Sequence, residues 1–132
     1  MHKQVIVAVL YGIVVIGSVV ALKYVNEPEK KPVEREWVVA DSEAYASDVV
    51  RAWADNQYEC LHKLWTKESN WRHDAYNKIK VMGKNAGGIP QILGLDPKTP
   101  APLQIDRGFA YIMHRYGTPC MALKFHQKKG WY

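Results

Sequence analysis

The chain has few of the residues that mark a metal or redox protein. Only two of its 132 residues are cysteine, Cys60 and Cys120, and their sixty-residue spacing matches no zinc or thiol-redox motif. His62, His73, His114 and His126 lie on separate segments and no His-Glu-x-x-His run occurs, so no metal-ligand set and no cofactor is read from them. The stretch GKNAGG lacks the Walker order, which removes the phosphate-loop reading. There is no internal repeat and no low-complexity tract. Lys and Arg outnumber Asp and Glu by 18 to 13 over the chain, but the excess is scattered. A nucleic-acid binder gathers its charge on one stripe, so nucleic acid is not an expected partner. A mildly basic surface suits polyanions such as the bacterial cell wall, and equally serves ordinary solubility. No strand is strongly marked, so the expected fold class is mainly α.

Residues 5–22, VIVAVLYGIVVIGSVVAL, carry no charge. As a helix they would span roughly 27 Å, enough to cross the hydrocarbon core of a bilayer. We read 1–23 as a single N-terminal transmembrane anchor or signal-anchor, with a cleaved signal peptide as the alternative. Lysines flank both ends, so the positive-inside count does not orient it. Residues 24–40 read as an extended, solvated linker broken by Pro28 and Pro32, with Trp37-Val38-Val39 beginning to pack on a domain at 41–132. If that domain lies outside the cytoplasm, Cys60 and Cys120 would form one disulfide; two buried thiols are the alternative.

Within 41–132, Asp41 or Ser42 can cap a helix over 42–56 with Tyr45, Val49 and Trp53 on one face. Residues 70–102 carry four Gly and four Pro, which argues against long regular elements; loops are expected, with a short hairpin or a helical turn as an alternative. A helix over 103–116 presents Ile105, Phe109, Ile112, Met113 and Tyr116 and stops at Gly117. Thr118-Pro119 opens a last helix to Lys128. Five Trp and eight Tyr are many for this length; core packing or stacking on sugar rings accounts for them.

The most informative stretch is Tyr58–Asn70, YECLHKLWTKESN. Cys60, Leu61, Leu64 and Trp65 recur at helical spacing on one face, and Glu68 falls on the same apolar stripe. Either it sits at the stripe's edge and reaches water, or it opens into a cleft. Desolvation raises a carboxyl pKa, and a raised pKa is what a general acid needs near neutrality.

The fragments WTKESNW, NAGGIPQI, GFAYIMHRYGTPCMAL and the closing GWY, in this order and spacing, resemble the lysozyme-like lytic transglycosylases of the goose-lysozyme-like superfamily. Within it they are most similar to a small form found in actinobacteria and their phages. The likeness covers residues 45–132 and implies a lysozyme-like α domain that cleaves the β-1,4 bond between N-acetylmuramic acid and N-acetylglucosamine. Glu68 would be the sole catalytic acid/base, leaving 1,6-anhydro ends. It implies that Ser69 supports sugar or orients the carboxyl. Gly88, Ile89 and Gln91 of the GIPQ loop would face substrate, with Gly87 and Gly88 letting backbone approach the glycan. Tyr111 and Trp131 are candidate cleft residues, with core packing as the alternative. Larger members carry Ala-Tyr-Asn near the end. Here the run is ALKFHQ, so His126 stands in the place of that tyrosine, the alternative being a surface histidine. A Cys60–Cys120 bridge would pin the acid's helix to the far wall of the cleft. A two-carboxylate glycosidase needs a partner acid; Asp74, Asp96 and Asp106 are available, none in a recognisable context.

The expected partners are therefore peptidoglycan strands, a membrane through 5–22, and envelope or virion proteins. The expected location is the extracytoplasmic side of a membrane, or a phage particle or lysis system. A hydrolytic lysozyme or endolysin, and an inactive lysozyme-like module binding wall or serving in a virion or envelope, are the competing expectations.

Overall fold

The structure is a computed structural model and describes residues 36–54 and 56–132; the expected anchor at 1–23 and most of the linker lie outside the described residues. Among the described residues no helix is long and apolar enough to cross a membrane. The fold is mainly helical. Helices α1 (Val39–Val50) and α2 (Gln57–Ser69) are followed by strands β1 (Tyr76–Val81), β2 (Lys84–Gly87) and β3 (Ile92–Leu93), then by α3 (Ala101–Tyr116) and α4 (Pro119–Lys129).

Helix α1 begins earlier than its cap candidates suggested. Asp41 acts from the third position of the helix, its carboxylate accepting the Val38 N–H at 3.0 Å. Ser42 is buried and accepts from the Trp37 indole at 2.8 Å, so the linker does begin to pack at Trp37, while Val38 and Val39 stay exposed. The fully buried residues of α1 are Ser42, Ala46 and Val50; Tyr45, Val49 and Trp53 pack around the rim. In α2 the expected stripe holds: Leu61, Leu64 and Trp65 are buried against Trp71, Ile105, Phe109, Ile112, Ala122 and Leu123. Met113, expected on the buried face of α3, is exposed instead. Thr118 caps α4, its hydroxyl accepting from Met121 N–H at 3.2 Å, and Gly117 and Gly130 close α3 and α4 with positive φ.

The stretch expected to be mostly loop holds a three-stranded antiparallel sheet in the order β1-β2-β3. All six residues of β1 are exposed, so the Lys78-Ile79-Lys80-Val81 alternation within it marks no buried face. What holds this segment is Gln104, a fully buried side chain of α3. Its carbonyl accepts the Ile89 N–H at 2.8 Å, and its amide donates to His73 O at 2.9 Å and Thr99 O at 2.8 Å, with Pro97 O farther off at 3.2 Å. One amide thereby satisfies carbonyls at both ends of the sheet region. The two glycines before Ile89 are needed for the same packing. A Cβ on Gly88 would stand 2.4 Å from the Gln104 carbonyl oxygen, and one on Gly87 2.1 Å from Leu95 O. The space they leave is occupied by the protein's own groups.

Helix α3 meets Trp65 and the GIPQ loop at Gly108, where a Cβ would lie 2.6 Å from the Trp65 ring and 2.8 Å from Pro90 Cβ. Glycine in a helix interior is ordinarily improved by alanine, by about 1 kcal/mol. Here the sign reverses: Gly108→Ala should destabilise by about 1–3 kcal/mol through overpacking, measured as a lower denaturant midpoint. An unchanged or raised midpoint would contradict this packing.

Candidate active site

Two helices are fastened at one end and meet chemically at the other. Cys60 and Cys120 form a disulfide joining the first turn of α2 to the first turn of α4. The Cys120 N–H also donates to Gln57 Oε1 at 3.1 Å. From that anchor Glu68 lies eight residues along α2 and His126 six along α4, roughly 12 Å and 9 Å of helix rise. There Glu68 Oε1 and His126 Nε2 stand 2.9 Å apart, their side chains only 16 % and 14 % exposed. Asn70, in the left-handed conformation, caps α2 and turns the chain away immediately after Glu68 and Ser69.

Burial pushes the Glu68 carboxyl up to about 7 from its ordinary 4.5. Burial, followed by the positive charge of Lys67, lowers the His126 imidazole. The two shifts run in directions that leave both groups neutral. The contact is therefore a hydrogen bond rather than an ion pair while Glu68 is protonated, as it is below about 7 and by about half at 7 itself, beside a ring nitrogen that can accept or donate.

Glu68 opens on a groove of about 470 Å³ lined by the end of α2, the turn after it and the start of β1, with Lys67, Ser69, Asn70, Arg72, Tyr76, Asn77, Lys78 and Gln91 around it. Glu68 is the only carboxylate among these lining residues. None of the acids named as possible partners, Asp74, Asp96 and Asp106, lines the groove. Asp74 pairs with Arg72 at 3.5 Å, Asp96 accepts from Lys98 N–H at 2.8 Å, and Asp106 accepts from the Tyr45 hydroxyl at 3.0 Å. Among the described residues no group of three His, Cys, Asp or Glu could hold a metal ion.

The other expected site residues fall into three places. Ser69 and Gln91 line the groove, but their donors point inward. The Ser69 hydroxyl donates to Ile89 O at 2.7 Å, and the Gln91 amide nitrogen to Gly88 O at 2.9 Å and Ala75 O at 3.3 Å. This leaves the Gln91 side-chain carbonyl as an acceptor for a ligand. Gly88 and Ile89, the first residues of the GIPQ loop, are buried and do not line the groove; the Ile89 side chain belongs to the core. Tyr111 and Trp131 do not line the groove. They sit in an aromatic cluster with Tyr116, Phe125 and Tyr132, and the Arg115 guanidinium lies 5.2 Å from the Trp131 ring centre.

Two contributors had no periodic signature to betray them. One is Gln104, a polar residue on the apolar face of α3. The other is Tyr132, whose phenol oxygen accepts from the Trp65 indole at 2.9 Å and donates to Pro90 O at 2.7 Å. It thereby joins the acid's helix to the GIPQ loop, with its ring 6.5 Å from that of His126. Burial holds its hydroxyl well above the ordinary value, and the hydroxyl of Tyr116 is pushed up to about 12, mainly by burial. Comparison with protein-family models, with curated proteins and with solved structures finds no match to this chain.

The raised pKa of Glu68 has a signed consequence for stability. Between pH 4.5 and about 7 the folded state keeps a proton that the unfolded chain releases, so stability falls as pH rises through that window. Glu68→Gln removes this titration. The variant's stability relative to the parent should rise by about 1–3 kcal/mol from pH 4.5 to pH 8, allowing for the solvent that still reaches the carboxyl. Urea denaturation of both proteins at the two pH values measures the difference; a difference independent of pH would mean that Glu68 is not held protonated.

Proposed function

We propose that residues 41–132 form a lysozyme-like lytic transglycosylase domain that cleaves peptidoglycan glycan strands with Glu68 as its single acid/base. The observation that carries this reading is a carboxyl raised to about 7 on a groove that offers no second carboxylate. Two-carboxylate hydrolysis requires a partner at about 5 Å or 6.5–9.5 Å. Transglycosylation needs one group used twice. Glu68, protonated, gives its proton to the glycosidic oxygen as the bond to the N-acetylmuramic carbon breaks, the substrate's N-acetyl group stabilising the cationic centre. The resulting carboxylate then takes the proton of the muramic 6-hydroxyl, whose oxygen closes the 1,6-anhydro ring. Water is not consumed, and Glu68 ends the cycle protonated as it began.

His126 supports both halves of this cycle. As a neutral ring it costs the acid form little; with its proton on Nε2 it donates to Glu68 Oε1 in both halves, which leaves the acid's own proton on Oε2 for the glycosidic oxygen. Lys67, Arg72 and Lys78 give the groove a positive character suited to the carboxylates of peptidoglycan. On the same reading the run at 5–22 holds the domain at a membrane, with the domain on the extracytoplasmic face or carried in a phage particle or lysis system. Envelope or virion proteins are then its protein partners.

The test is product analysis. The full chain incubated with purified peptidoglycan should release 1,6-anhydro muropeptides, identified by mass, and Glu68→Gln should lower the rate by at least about a hundredfold. Reducing-end products would make the domain a hydrolytic lysozyme. Retention on cell walls with no released product would make it a binding module.

A further inference from the structure

The hairpin of β1 and β2 is built in a way the groove does not require. Among the described residues its apolar side chains are left exposed: Ile79 is 72 % exposed, Val81 51 % and Met82 91 %. The strands are nonetheless well tied. Val81 pairs with Lys84, Asn85 Nδ2 donates to Asn77 O at 2.9 Å, and the Ile79 N–H donates to Asn77 Oδ1 at 2.9 Å. The tip is a two-residue turn in which Met82 and Gly83 both have positive φ, 51° and 77°. Such turns favour Asn-Gly or Asp-Gly because a bulky side chain is disfavoured there. A methionine held in the left-handed region and thrust into solvent is a local cost that folding alone does not explain. Along this stretch of the sequence the charge has one sign. From Ala75 to Leu95 there is no acid, and the hairpin carries Lys78, Lys80 and Lys84.

Lysines on an edge strand deter unwanted strand pairing, which accounts for Lys78 and Lys80 but not for Ile79, Val81 and Met82. A second copy pairing along β1 would bring lysines against lysines. A sugar polymer would find no aromatic face at the tip. An apolar tip ringed by lysines is complementary to an anionic lipid surface, where aliphatic side chains enter the acyl boundary and lysine stems reach back to the headgroups.

We propose that the β1–β2 hairpin docks the domain on an anionic bilayer, with Ile79, Val81 and Met82 inserted and Lys78, Lys80 and Lys84 at the headgroups. The proposal is independent of the chemistry at Glu68. Its effect is to fix the orientation of the groove, whose wall includes Tyr76, Asn77 and Lys78 of the same strand.

The full chain should be placed in vesicles of phosphatidylcholine, with and without phosphatidylglycerol, and hydrogen exchange read over residues 76–87. Total binding is not the readout, because the uncharged run at 5–22 is expected to hold the chain to either bilayer. Exchange in the hairpin should slow by about tenfold in the anionic vesicles alone, and high salt should reverse it. The pair Ile79→Asp and Met82→Asp, at exposed positions, should abolish the slowing while leaving the thermal transition in place. The lipid and salt comparisons on the native chain decide the matter even where that variant misfolds. No slowing in anionic vesicles at low salt, or equal slowing in both lipids, overturns the proposal. So does slowing by added peptidoglycan with none by lipid, which would assign the hairpin to glycan.

Discussion

The arrangement depends on one buried amide. Gln104 sits in the interior of α3 with both its amide nitrogen and its carbonyl oxygen hydrogen-bonded, and each of its bonds ends on backbone from the region between α2 and α3. An unpaired amide in that position would cost about 1–3 kcal/mol, so the region is held in the one geometry that satisfies it. That geometry sets the GIPQ loop at a fixed distance from α2. Gly87 and Gly88 are glycine because Leu95 and Gln104 fill the places where their side chains would be.

From that frame the properties of Glu68 follow. The loop offers Ile89 O to Ser69, and Pro90 O to Tyr132, whose hydroxyl also holds the Trp65 indole. The last turn of α2 is thus tied to the loop at two points on either side of Glu68. The disulfide and the Cys120–Gln57 hydrogen bond set α4 alongside α2, which delivers His126 to the carboxyl. Water is largely kept away by packed carbon, and the carboxyl responds by holding its proton. No charged partner enforces this, since His126 is itself biased to neutrality by burial and by Lys67. The reactivity proposed for the site is a property of the packing.

Much of this was readable in the sequence, for identifiable reasons. The stripe Leu61, Leu64, Trp65 and Glu68 is a helical period with one polar residue out of place, and pattern alone locates such a residue. Glycine and proline punctuation found the ends of α3 and α4. The Cys60–Cys120 bridge was an expectation conditional on a domain outside the cytoplasm, and the bridge itself is present. The loop-rich reading of 70–102 allowed a short hairpin but not a third strand; β1 buries neither face, so its short Lys78-Ile79-Lys80-Val81 alternation marks no core-facing strand. Tyr132 and Gln104 were missed because each acts through tertiary hydrogen bonds that no local spacing encodes. The start of α1 was misplaced because Asp41 caps from inside the helix. Ser69 and Gln91 were found at the groove, but their donors brace the loop, a distinction between neighbouring atoms that sequence does not carry. The lysozyme-like assignment and the chemistry remain the proposal made above.

The central claim is that packing alone keeps a proton on Glu68 near neutral pH. The most direct test is a carboxyl-carbon NMR titration of Glu68 in protein labelled with carbon-13 at glutamate side chains, assigned by Glu68→Gln. A midpoint near 7, as burial sets it, is the expected result. A midpoint near the ordinary 4.5 would show an ionised carboxylate already in contact with water, and would contradict the account of this site as a single loaded acid.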